Sequence, residues 1–336
     1  MTAASARANG DRLGELRSRL TLPLICAPMF LVSGPDLVIA ACRSGIIGSF
    51  PAPNARPLEV LDEWLTRISS ELAGTAKAEP ARTIAPWSLN LVVHSSYERL
   101  KDELELVRSH RPPIVITALG NPARAVETVH AYGGLVFADV GNLVMARKAA
   151  QAGVDGLILV CAGAGGHTGS ISPFVFVHAV RQFFDGIIVL AGGLCTGAAI
   201  RAAEIAGADL ADVGTLFIAA RESLASDEYR QMVVDAGADD LVLTRAFTGA
   251  NAYYLRRSIE RSGLDPDNLS GKTSMDWSQS GRELKAWKDI WSAGQSVEAV
   301  QRVESAAEIV ERLRREYAQA LSLPGFSSKP GASSHG

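Results

Sequence analysis

Between residues 23 and 236, short and nearly continuous apolar runs alternate with amphipathic stretches eight times. This pattern constrains the fold more than any other feature of the chain. Runs such as LILV and IIVLA lack polar alternation, as expected of parallel strands covered on both faces. Expected strands lie at 23–29, 46–50, 85–93, 114–119, 135–140, 156–161, 187–191 and 210–213. Expected helices lie at 34–44, 58–72, 97–109, 122–132, 143–152, 174–184, 197–206 and 222–236. Gly45, Gly133, Gly153, Gly207 and Gly237 stand where helices end and suit left-handed C-caps. Eight such units close into a (β/α)8 TIM barrel over residues 1–237, leaving no sheet edge, and an open doubly wound sheet is the alternative. Residues 238–325 read as a mostly helical extension covering one barrel mouth, strongest at 306–321. The stretch 269–280 reads as a loop and 326–336, rich in Pro, Gly and Ser, as a disordered tail.

Composition narrows the function classes. At 336 residues, 47% hydrophobic and 21% charged, the chain can bury a barrel core. A formal charge of −3 offers no electrostatic footprint for nucleic acid or an anionic membrane. The opening MTAASARANGDRLGELRSRL lacks the apolar core of a secretory signal, and no apolar run reaches the roughly 18 residues of a bilayer span. The expectation is a cytoplasmic protein acting on a small molecule, with homo-oligomers open. Cys26, Cys42, Cys161 and Cys195 form no CxxC pair and read as reduced thiols. No HExxH metal motif occurs, and no GxGxxG or GxxxxGK[ST] stands at a strand–helix junction.

Barrel active sites are built at the C-terminal ends of the strands. Those ends carry Pro28 and Met29, Ser49, Asn90, Thr117, Asp139, the run 162–169, Gly192 and Gly193, and Gly214 and Thr215. AGGLCTG after the seventh strand and DVGTLF after the eighth place glycines on adjacent ends. There backbone amides can approach an anion, and a following helix start would favour it further. A phosphate at strands seven and eight is a recurring barrel feature. After the sixth strand, CAGAGGHTGSISPF sets His167 among four glycines, a setting too flexible for a packed core histidine and suited to proton transfer or cofactor contact. His94, just past the third strand, is a weaker candidate. His110, His130, His178 and His335 read as helix or tail residues.

APM after the first strand, LNLVV at the third, GAGGHTG after the sixth, LAGGL after the seventh and VGTLF after the eighth together resemble the nitronate monooxygenases. The related FMN-dependent enoyl-ACP reductases share AGGHxG and GTxF. The resemblance covers roughly residues 20–300 and implies an FMN-binding barrel. It implies Ala27, Pro28 and Met29 against the flavin, Asn90 hydrogen-bonded to it, and Gly193, Gly214 and Thr215 on the phosphate. Gly166 and Gly192 lie in the same glycine segments, and AWKDIWSAGQSV places Gln295 beside the flavin. Asp139 stands where many members have lysine, threonine or serine, and completes the expected cofactor contacts. His167 is the expected catalytic residue. Three functions remain open on these residues. One is nitronate oxidation with O₂ to a carbonyl compound and nitrite. The second is NAD(P)H-dependent, FMN-mediated reduction of an enoyl thioester or quinone. The third is a barrel that binds a phosphorylated ligand without redox chemistry.

Overall fold

A computed structural model describes residues 12–269 and 289–324. The expected loop at 269–280, beyond its first residue, and the expected tail at 326–336 lie outside the described residues.

Eight parallel strands close into a barrel in the order β1-β2-β3-β4-β5-β6-β8-β9. They are β1 (Leu24–Cys26), β2 (Ile47–Pro51), β3 (Trp87–Val92), β4 (Ile114–Ala118), β5 (Leu135–Val140), β6 (Gly156–Val160), β8 (Ile187–Ala191) and β9 (Leu210–Val213). Closure pairs Ile25 with Asp212 across β1 and β9. Helices α1 (Pro35–Arg43), α2 (Leu58–Ala78), α3 (Leu100–His110), α4 (Ala123–His130), α5 (Leu143–Gln151), α6 (Pro173–Arg181) and α7 (Gly197–Ile205) follow the first seven barrel strands. Side chains alternate across each strand. One set, including Ile25, Ile47, Ile116, Phe137, Ile158, Val189 and Leu210, fills the barrel interior. The other, including Leu89, Val136, Leu157 and Leu190, packs outward with the helices. Leu13, Leu16 and Leu20 join the interior cluster. Arg12 is tied to Asp155 at the start of β6, so this leading segment closes the N-terminal end of the barrel.

The eighth helix differs from expectation. Residues 222–236 hold a shorter helix, Asp227–Asp235, whose Tyr229 stacks on Trp291 at 4.8 Å. The place in the ring between α7 and α1 is taken instead by the last helix, α8 (Ala306–Leu321). A capping box of Ser305 and Glu308 starts it, and Ile309, Val310 and Leu313 form its buried face. Gly197 permits the fit, since a Cβ there would lie 2.2 Å from Leu313 O and from Tyr317 N. The segment between β9 and α8 thus leaves the ring and returns.

That excursion is less helical than its composition suggested. It contains a hairpin, β10 (Leu241–Thr244) and β11 (Ala252–Leu255), and β11 pairs antiparallel with the two-residue strand β7 (Gly166–His167). The hairpin therefore sits over the loop that follows β6, on the catalytic face. Gly45, Gly133, Gly153 and Gly207 adopt the left-handed backbone expected of them, whereas Gly237 is extended at φ −104°. Ala236 is already extended, and Gly237 opens a 3-10 turn at Ala238–Asp240, so no left-handed cap is needed there.

Candidate active site

One step above the apolar interior, the inward-facing positions turn polar: Ser49, Ser88, Asn90, Asp139 and Asp212. Ser49 and Ser88 hydrogen-bond each other across β2 and β3. Asn90 is buried, and its Nδ2 reaches Ile116 O at 3.4 Å. Thr117 shares the outward parity of Val115 and donates to Phe137 O at 3.2 Å, so it leaves the mouth although it ends a strand.

The segment after β1 is held by side chains that sequence reasoning did not single out. Asn54 donates to Met29 O at 3.0 Å and to Ser33 O at 2.8 Å, and Ser33 Oγ accepts from Met29 N at 3.0 Å. Ala27 N donates to Val213 O at 3.0 Å. Across the closure, a Cβ on Gly214 would lie 3.3 Å from Met29 Sδ and 3.4 Å from Ala27 Cβ. Ala27, Pro28, Met29 and Gly214 therefore form one rim.

The loop after β6 docks on the returning segment. Gln295 N donates to Gly163 O at 3.0 Å, and Gly294 N donates to Thr215 Oγ1 at 2.9 Å. A Cβ on Gly294 would lie 2.5 Å from Gly165 N, so the two backbones approach as closely as only glycine allows. Gln295 Nε2 donates to Tyr253 OH at 3.1 Å. Gly166 N donates to Ser292 Oγ at 3.1 Å, and that hydroxyl donates to Tyr253 O at 2.6 Å. His167 Nε2 meets Thr248 Oγ1 at 3.2 Å, and burial lowers its pKa below the ordinary imidazole value. Tyr253, Thr248 and Ser292 carry no motif in the sequence, and only the hairpin's position reveals them. His94 bonds Ser96 through Nδ1 at 2.7 Å.

Gly192 and Gly193 adopt φ values of 120° and 70°, and a Cβ on Gly193 would meet open space. The start of α7 is less available to an anion than the sequence suggested, because Glu316 of α8 already accepts from Gly197 N at 2.8 Å. The expected donors for a phosphate thus narrow to the glycine turn at 192–193 and the segment at 214–215.

The model of the family described as nitronate monooxygenase matches residues 17–316. The chain belongs to the nitronate monooxygenase family. The match runs from the segment closing the barrel floor into α8, so it includes the hairpin and the histidine loop. Among relatives, a nitronate monooxygenase of Paraburkholderia phytofirmans is 27% identical, covering 89% of this chain and 93% of its own length. A 5-hydroxy-7a-methyl-1-oxo-octahydro-1H-indene-4-carboxyl-CoA dehydrogenase of Rhodococcus jostii is 24% identical, covering 74% of this chain and 67% of its own. The fold is shared with nitroalkane oxidase from Streptomyces ansochromogenes at a TM-score of 0.73 and 23% identity, covering 91% and 99% of the two chains. As a member of the nitronate monooxygenase family, the chain is an oxidoreductase built on a flavoenzyme barrel.

The residues present suit a flavin mononucleotide. The turn at Gly193 is exposed and open, so a ligand anion can approach its backbone, and the inward-facing Asn90, Asp139 and Asp212 offer polar partners in the barrel mouth. Among the described residues there is no cluster of side chains able to hold a metal ion, and no helix long and apolar enough to cross a membrane.

Proposed function

We propose that the protein is an FMN-dependent nitronate monooxygenase, oxidising alkyl nitronates with O₂ to a carbonyl compound and nitrite. The observation that carries this reading is the convergence, at one barrel mouth, of the open glycine turn at Gly193 and a half-buried His167 whose pKa desolvation lowers below the ordinary imidazole value. FMN, when bound, supplies the electron transfer that links the substrate to O₂. The chain's own residues bind and orient. Gly193, Gly214 and Thr215 hold the phosphate, while Ala27, Pro28, Met29, Gly166 and Gly192 give close backbone approach. Asn90, Asp139 and Gln295 are the polar partners of the ring system.

His167 is the catalytic residue in this reading. A neutral imidazole can accept the carbon-bound proton of a neutral nitroalkane, or hydrogen-bond an oxygen of a preformed nitronate. The hairpin that pairs with its backbone keeps the imidazole beside Thr248. A second reading is an NAD(P)H-dependent FMN reductase of an enoyl thioester or a quinone, and the relative that acts on a carboxyl-CoA favours a thioester substrate within it. In that reading His167 delivers a proton to the substrate.

Anaerobic mixing separates the two. The enzyme is mixed in turn with a nitronate, NADH and NADPH, and the flavin absorbance is followed. Bleaching by the nitronate alone supports the first reading, and bleaching by a reduced nicotinamide alone replaces it with the second.

A further inference from the structure

Asp139 on β5 and Asp212 on β9 both line the barrel mouth, and among the described residues neither has a basic partner. Asp139 shares the parity of Phe137 on β5, and Asp212 that of Leu210 on β9, so both carboxyls face inward just above the apolar interior. Among the described residues neither makes an ion pair, and Asp212 Oδ1 is closed to solvent without a hydrogen-bond partner. A buried acceptor left unmet costs free energy that a native fold rarely tolerates without a use. The strands between them present Ile158 and Val189, which supply no charge.

Burial opposes ionisation of both groups. Asp139 is pushed up to about 7, and Asp212 is pushed well above the ordinary carboxylate range, first by burial and then by the charge of Asp139. The other titratable groups nearby do not relieve this. Cys26 on β1 points outward, and its thiol is raised by burial, by Asp212, by Cys42 and by Glu222, so it stays uncharged. His167, in the loop above, is itself held neutral. Two like charges in one low-polarity mouth titrate as a unit.

We propose that Asp139 and Asp212 form a single proton-holding pair that retains one proton in the resting protein and takes up another when an anionic ligand fills the mouth above them. Binding of the flavin phosphate ester is then coupled to proton uptake by this pair in the barrel mouth. The choice of ligand rests on the FMN reading above, and the proton retained by the resting pair does not.

Two measurements test the proposal separately. The first is infrared spectroscopy of the protein freed of any bound ligand. A carboxylic-acid carbonyl band should persist at neutral pH and should weaken, or titrate at lower pH, in both Asp139→Asn and Asp212→Asn. A band identical in wild type and both variants, or its absence from wild type, overturns the shared proton. The second is FMN affinity for apo-protein from about pH 6 to about pH 9, read by flavin fluorescence. Wild-type Kd should rise with pH by up to roughly tenfold per unit, and each Asn variant should flatten that rise. The phosphate of FMN titrates alike with all three proteins, so only the difference between them counts. Equal slopes overturn the coupling. A failure of FMN to bind at any pH overturns the FMN reading and the coupling with it, while the infrared result still decides the proton.

Discussion

His167 lies in a two-residue strand, bonded through Nε2 to Thr248, in surroundings that hold its imidazole uncharged near neutral pH. On the proposed reading, activity toward a neutral nitroalkane falls as pH drops through the lowered pKa, below the ordinary imidazole value of about 6.5. His167→Ala should keep the fold and the flavin while lowering that activity by roughly 10²- to 10⁴-fold. With a preformed nitronate no proton leaves carbon, so the loss should be smaller. Steady-state rates on the two substrate forms check this, and equal losses would make the residue a binder rather than a base. Asp139 offers a stability test at the same scale. Its carboxyl is held near 7 in the fold and returns to the ordinary range on unfolding. The contribution of Asp139 to stability should therefore be fully present below about pH 4 and be lost as pH rises toward about 7. Asp139→Asn removes this penalty. The variant should melt higher than wild type at about pH 8, and the advantage should vanish below about pH 4.

The barrel strands and the first seven helices were legible because each strand is an apolar run bounded by glycine or polar turns, a signal that needs no tertiary context. The hairpin was not legible. LVLT and AYYL are four residues each and are separated by a turn of ordinary composition, and their partner Gly166–His167 is too short for any periodicity. Helix α8 was read as a helix but not as a member of the ring, because its place is decided by contact with α7 and α1. That contact is testable. Gly197→Ala drives a methyl into the backbone of Leu313 and Tyr317, and should lower stability by on the order of 1–3 kcal/mol in chemical denaturation. An unchanged midpoint would mean that the last helix is free to shift. At the histidine loop, Gly294→Ala places a Cβ 2.5 Å from Gly165 N and 2.8 Å from Gly163 O. It should displace the loop and weaken flavin retention, with circular dichroism unaltered.

Across the whole molecule, the parts of the site come from segments far apart in the chain: the rim at 27–29, the loop at 161–169, the glycine turns at 192–193 and 214–215, the hairpin at 241–255 and the return at 292–295. The sequence showed the glycine turns and the histidine because those residue types are rare in such density. It hid Asp212, which sits inside the strand LADV and becomes part of the mouth only once its parity with Leu210 is known. On the proposed reading this assembly holds one FMN through its single phosphate at 192–193 and 214–215. Mass analysis of the cofactor released on denaturation, with its absorbance giving the stoichiometry, tests it most directly. About one FMN per chain is expected, as is its loss from a folded Gly214→Glu variant, whose carboxylate would oppose the phosphate. Release of FAD, or a folded wild-type protein that neither carries nor takes up FMN, would contradict it.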